Sequence, residues 1–229
     1  MGTKYNPSIV RNGLALYLDA ANVRSYSGSG NTTYNIASTS AIGATLSSGI
    51  SYNSSNPATF VASANNLLLS DYTLAGGTSF TVCIWFKRVG NTFWMALFGN
   101  EVWNNGTGYA ARLESSTTIR FSRGGDGVGI AYSNAALVSA NFNHYAFVKN
   151  PSGSDSYIYL NGVQVANGSI NDVSITKPFV FNGRWLNTGT DVSTGDAQAS
   201  QISNMSVYTR ALSAQEVLQN YNATKKRYL

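Results

Sequence analysis

One cysteine and one histidine in 229 residues remove several chemistries at once. Cys83 has no partner for an intrachain disulfide, and its setting in "FTVCIWFK" is that of a buried strand residue, not a nucleophile. A Ser-His-Asp triad or a histidine metal cluster would have to be built around His144, which stands in the packed-strand pattern "HYAFVK". Glutamate is almost as scarce. Glu101, Glu114 and Glu216 form no E-x-D-x-E pattern, so the carboxylate pair about 5 Å apart that retaining sugar hydrolysis needs cannot be drawn. The expectation is therefore no catalytic residues and no enzyme. Charged residues make up only 11% of the chain, against roughly 25% in an ordinary domain. The net charge of +5 comes partly from Lys225, Lys226 and Arg227, a basic end that complements a helix dipole. It is not the basic stripe with interleaved aromatics of a nucleic-acid binder. No window approaches a membrane span, and "MGTKYNPSIVRNG" has no apolar core of signal-peptide length. Synthesis in a cytoplasm follows, with no membrane partner.

What fills the space is glycine (22), tyrosine (14) and abundant Ser, Thr and Asn, a neutral hydroxyl- and amide-rich surface suited to protein assembly or sugar contact. Alternation of period two recurs along the chain, the mark of half-buried antiparallel strands. In "SFTVCIWFKR", Phe80, Val82, Ile84 and Phe86 point one way while Thr81, Cys83, Trp85 and Lys87 point the other. Bulk on both faces predicts a central strand. Further strands are predicted over 14–20, 93–99, 108–114, 118–123, 128–132, 144–149 and 201–209, separated by turns such as "RGGDGVG". Asn161-Gly162 interrupts two alternating runs and predicts a type I′ hairpin, which needs positive φ at both central residues.

The closing "YTRALSAQEVLQNY" reads as the chain's one marked helix. Ser213 and Glu216 make a capping box, Leu212 and Val217 a hydrophobic staple, and Val217, Leu218 and Tyr221 an apolar face. For chemistry, "EVWNNGTGYAARLE" gathers Trp103, Asn104, Asn105, Tyr109 and Arg112, an aromatic and amide set of the kind that holds sugars. Trp185 in "NGRWLNTG" is a second candidate. Asp126 in "GGDGVG", and Asp191 with Asp196 in "TDVSTGD", could join backbone carbonyls around calcium or make Asx-turns. The expectation is no metal and no cofactor.

The order "NGLALYLDAANVRSY", "SFTVCIWFK", "FNHYAFVKN" into "YIYLNGVQVA", then "ISNMSVYTRALSAQEV" resembles the laminin-G-like branch of the concanavalin A-like jelly rolls. The resemblance implies an all-β, two-sheet antiparallel jelly-roll sandwich with one short C-terminal helix. It implies one domain over 1–229, with a core of about 12–221 and short terminal extensions. Where that family places an Asp in the hairpin this chain has Asn161, and Ser203-Asn204 replace an acidic pair, so a family-like metal site is not implied. The flanks "NGLALYLDAANVRSYSGSGNTTYN" and "LQNYNATKKRY" are similar to laminin-G-like proteins of tailed bacteriophage virions, cyanophages among them. That implies a virion structural protein, such as a capsid decoration or other surface subunit, homo-oligomeric and in contact with other virion proteins. The alternative is a glycan-binding adhesion module of a tail or head fibre recognising host polysaccharide.

Overall fold

The computed structural model describes residues 8–38, 42–89, 94–125, 129–134, 141–186, 189–193 and 195–229. Two antiparallel sheets of eight strands each carry the fold, with a short Arg184–Trp185/Val192–Ser193 ribbon beside them. One sheet runs Val163–Ser169, Asp155–Leu160, Asn143–Lys149, Phe80–Arg88, Ser200–Tyr208, Thr59–Ala62, Ser51–Asn53, and Leu14–Asp19 also pairs with Ser200–Tyr208. We call it the helix-side sheet. The opposing sheet runs Gly129–Ser133, Thr118–Arg123, Tyr109–Leu113, Met95–Gly99, Val180–Phe181, Leu68–Ser70, Ile42–Leu46, Thr32–Tyr34. The alternation predicted antiparallel strands and the resemblance a two-sheet jelly-roll sandwich, and that is what the chain builds.

The Phe80–Arg88 strand is central, hydrogen-bonded to Asn143–Lys149 on one side and Ser200–Tyr208 on the other. Its even-numbered residues from Phe80 to Phe86 enter the core between the sheets, where Phe98, Phe121 and Phe147 pack with ring centroids 5.4–6.2 Å apart. Burial of that many large rings supplies most of the drive to close the sandwich. Ser200–Tyr208 carries a register shift between Ile202 and Met205, which lets both residues face the core although they lie three apart. The neighbouring strand changes there: Thr59–Ala62 pairs with residues 200–202 and Leu14–Asp19 with residues 204–208. Ser203, at the junction, donates to the Ala58 carbonyl at 2.8 Å.

The turn at Asn161-Gly162 has φ of 52° and 82°, as a type I′ hairpin requires. Asn161 does more than turn the chain: its Oδ1 accepts from the His144 amide at 2.9 Å and its Nδ2 donates to Asn143 Oδ1 at 2.9 Å. An Asp here would lose the second bond and set a carboxylate against the Asn143 carbonyl.

The C-terminal helix, Ala214–Thr224, starts where expected, with Ser213 as N-cap and the reciprocal Ser213–Glu216 bonds formed. Leu212 and Val217 are both buried in one cluster under the helix, as the staple predicts. The buried face differs from the expected one. Val217, Asn220 and Thr224 are inside, while Leu218 is 43% exposed. The reason lies in what the helix covers. The outer face of the helix-side sheet presents polar ends: Trp85 Nε1 donates to Thr224 Oγ1 at 2.8 Å, and Asn220 Nδ2 donates to the Tyr208 hydroxyl at 3.0 Å. Asn220 Oδ1 also accepts from the Val10 amide at 2.8 Å, binding the N-terminal segment to the helix.

The basic end, which the resemblance placed in an extension beyond the core, is folded back. Arg227 pairs with buried Asp19 at 2.7 Å, and Tyr228 stacks on Trp85 with centroids 3.9 Å apart and planes 13° off parallel. The Tyr228 hydroxyl donates to Ser203 Oγ at 2.7 Å and accepts from Asn204 Nδ2 at 3.4 Å. Ser203 and Asn204 therefore seat the last turn of the chain. His144 and Cys83 are buried, as their strand patterns predict; burial lowers the imidazole to about 3 and pushes the thiol up to about 12.

Candidate functional site

The expected sugar-binding residues fall at the loop end of the opposing sheet, but not as one surface. The turn 102–108 joins Met95–Gly99 to Tyr109–Leu113, with Trp103–Asn105 as a single 3₁₀ turn closed by Gly106 at φ 64°. Trp103 is half-buried, and Asn104 and Asn105 are exposed. Gly108, at φ 72°, is required as glycine, because a Cβ there would lie 2.2 Å from the Asn100 carbonyl oxygen.

Two of the expected contacts are interior. Tyr109 is fully buried, its ring 5.0 Å from that of Phe80 and its hydroxyl donating to the Gly77 carbonyl at 2.6 Å. Both the alternation of its strand and that bond hold it in the core, away from any ligand. Arg112 is also buried. One guanidinium nitrogen, Nη2, donates to both Glu101 carboxylate oxygens at 2.8 Å, and the guanidinium lies 5.7 Å from the Trp103 ring centre. Arg112 thus supports Trp103 from beneath instead of meeting solvent.

Glu101 is the centre of a larger network. Arg184 Nε approaches Glu101 at 3.6 Å and Asp196 at 2.7 Å, and Ser193 donates to Asp196 at 3.1 Å. The arrangement brings two carboxylates to one arginine, which the sequence spacing does not suggest. It is not a hydrolytic pair: the Glu101 side chain is 0% exposed, so no substrate oxygen can reach it. Burial pushes its carboxyl up against the pull of Arg112 and Arg184. The network ties the 99–108 and 184–196 loops together.

Trp185 lies on that second loop, half-buried, its Nε1 donating to the Pro178 carbonyl at 2.9 Å and the Lys177 ammonium 4.8 Å from its ring centre. Trp103 and Trp185 are thus both held on one linked loop cluster, while Tyr109 and Arg112 belong to its foundation. Asp191 caps its own turn, accepting from the Val192 amide at 2.7 Å, and Asp196 is committed to Arg184. Asp126 lies outside the described residues. No cluster of three or more metal-ligating side chains occurs among the described residues.

A second candidate lies elsewhere and escaped the sequence. A groove of about 470 Å³ opens on the outer face of the helix-side sheet, lined by Asn150, Tyr157, Tyr159, Gln164 and the 211–214 entry to the helix. The signal was present in "SYIYLNGVQ". Once Ile158 is assigned to the core, Tyr157 and Tyr159 must both face outward.

These features define a two-sheet antiparallel sandwich with aromatic and amide loops and buried acids engaged in ion pairs. The chain belongs to the Concanavalin A-like lectin/glucanases superfamily, whose profile matches residues 61–218. No curated protein sequence matches it. Among solved structures it is similar to the ligand binding domain of botulinum neurotoxin serotype D in complex with N-acetylneuraminic acid, at 13% identity and TM-score 0.67, covering 94% of this chain and 52% of that one. It is similar also to the binding domain of Paraclostridial Mosquitocidal Protein 1, at 14% identity and TM-score 0.65, covering 93% and 52%. A botulinum neurotoxin type C structure, whose cell entry depends on two ganglioside molecules, matches at 14% identity and TM-score 0.65, again over 93% and 52%. At such identities the likeness is one of fold. The chain spans about half the length of these structures.

Proposed function

We propose that the chain is a non-enzymatic glycan-binding module. The observation that carries this reading is the linked loop cluster, which holds two half-buried tryptophans beside exposed amides on a lectin-type sandwich. Aromatic faces with nearby neutral donors suit sugar rings, whose C–H faces stack and whose hydroxyls exchange hydrogen bonds. The neighbours' ligands, N-acetylneuraminic acid and gangliosides, support a carbohydrate partner for this fold. None of the three glutamates stands ready as an acid: Glu101 is sealed, Glu114 is paired with Arg120 at 2.5 Å, and Glu216 caps the helix.

The particle-surface role that the phage resemblance implied ranks second. No neighbour described above is a virion protein, so the adhesion reading is preferred to capsid decoration. Placement on a phage particle, with adhesion to host polysaccharide as its use, belongs to the same proposal. The test is a glycan array followed by titration of pure protein with the best ligand. Binding that weakens in Trp185→Ala and Trp103→Ala supports the loop cluster. Silence across the array, with capsids retaining the protein through sedimentation, would favour the decoration role instead.

A further inference from the structure

The groove on the helix-side sheet gathers tyrosine and amide ends that face solvent. Three other buried tyrosines bond to carbonyls of the chain, Tyr26 to that of Gly30, Tyr109 to that of Gly77 and Tyr208 to that of Val10. Tyr159 is only 3% exposed, yet its hydroxyl makes no hydrogen bond within the chain. That hydroxyl is not among the sealed, unpaired atoms, so the small part of Tyr159 that reaches solvent includes it. Tyr157, whose ring centre is 6.1 Å away with the planes tilted by 55°, likewise has no hydroxyl partner, and neither has the Gln164 amide. These ends reach solvent, so each can exchange a water for a ligand hydroxyl.

Local structure aims these groups at one another. The hairpin register shifts between Ile158 and Tyr159, so that Tyr159 stands opposite Gln164 while Ile158 stands opposite Ala166. Such a bulge re-aims a side chain at the cost of one unpaired residue, here Val165. Asn150, at the end of the next strand, uses Nδ2 to hold the Asp155 carbonyl at 2.7 Å, which fixes its side chain at the rim. The opposite wall is the helix entry, Ala211 to Ala214, rigid because Ser213 and Glu216 lock it and Leu212 is anchored by Thr81 Oγ1 at 3.0 Å. No Asp, Glu, Lys, Arg or His lines the groove.

We propose that this groove is a second sugar subsite, specific for a neutral pyranose. The inference rests on the glycan-binding reading but not on the loop cluster, with which it shares no lining residue. Tyr157 offers a half-exposed ring to one face of the sugar, and the Tyr159 hydroxyl and the Gln164 and Asn150 amides meet its hydroxyl edge. An acidic sugar finds no cation there. A volume of about 470 Å³ is within the range of small-ligand sites and leaves room for one or two sugar rings.

The experiment uses the full chain and three neutral probes, maltohexaose, cellohexaose and mannohexaose, with 3′-sialyllactose as the acidic one, each followed by calorimetry and amide chemical-shift mapping. Shifts centred on residues 150, 157–164 and 211–214 with a neutral probe, and none there with sialyllactose, are expected. Tyr157→Ala should weaken that binding about tenfold, the equivalent of one aromatic contact. Tyr159→Phe, which keeps the ring and the fold, should weaken it several-fold while Trp185→Ala leaves it unchanged. Neutral binding lost in Trp185→Ala and untouched in both tyrosine variants overturns the groove and spares the glycan reading. Groove shifts driven equally by sialyllactose overturn its neutrality. A wild-type protein silent to every probe here and on the array overturns both readings.

Discussion

Trp85 shows how one residue on the outer face of a strand can organise the end of a chain. Its indole nitrogen is satisfied by Thr224, its face is covered by Tyr228, and the Tyr221 ring lies 5.8 Å away. Tyr228→Ala removes the closest of these layers and the bond to Ser203, and should lower stability by about 2–3 kcal/mol. Urea midpoints measure it, and a red shift of tryptophan emission should accompany it as Trp85 meets water. His144 sits beside the same ring, centroids 5.3 Å apart, with its pKa lowered by burial to about 3. The unfolded chain therefore binds a proton, from about pH 6.5 downward, that the native state refuses. Stability must fall as pH falls through that window, by up to about 1.4 kcal/mol per unit. Glu216, held down to about 2 mainly by its bonds from Arg210, adds its loss only below its ordinary 4.5. Between about pH 6.5 and 4.5 the loss comes from the histidine, opposed by Glu101, whose buried carboxyl is pushed up and takes a proton first in the native state, and His144→Leu should remove the loss there.

At the scale of elements, the parts that could be read directly were those whose causes are local. Asn161-Gly162 and the Ser213–Glu216 box each need only a few adjacent residues, and both form as expected. Ser213→Ala should cost about 1 kcal/mol, seen as a lower unfolding midpoint. Gly162→Ala should cost more, because the residue has φ of 82° and a Cβ would press on Leu218 and Tyr221 at 3.0 and 3.1 Å. Short strands such as Thr32–Tyr34, Ser51–Asn53 and Val180–Phe181 were illegible, since two or three residues carry no period and only pairing makes them strands. The helix face was misread for a different reason. Leu218 looks apolar on a wheel, but the surface it would cover presents Trp85 Nε1 and the Tyr208 hydroxyl, so Asn220 and Thr224 turn inward. The candidate site followed the same rule. Its tryptophans were visible as residue types, whereas the burial of Tyr109 and Arg112 depended on the opposing sheet and on Glu101.

For the whole molecule, the scarcity of charge has a measurable consequence. Several of the charges present are spent internally: Arg112 and Arg184 on Glu101, Arg227 on Asp19, and Arg210 on Glu216 at 2.5 Å. A net +5 then leaves little directed field with which to recruit an acidic ligand over distance. If sugar contact is made by rings and amides, binding to a neutral polysaccharide should change less than about twofold between 0.1 and 1 M salt, although the screening length shrinks from about 10 to about 3 Å. Affinity electrophoresis or calorimetry at the two salt concentrations gives the answer. The basic end provides the matching control. Changing Lys225, Lys226 and Arg227 to Ser should leave sugar affinity intact while lowering thermal stability, because Arg227 leaves Asp19 buried without its cation. A tenfold loss of binding in high salt or in that triple variant would instead place the partner's acidic groups on the basic residues, and the neutral surface would have to be read as an interface between proteins.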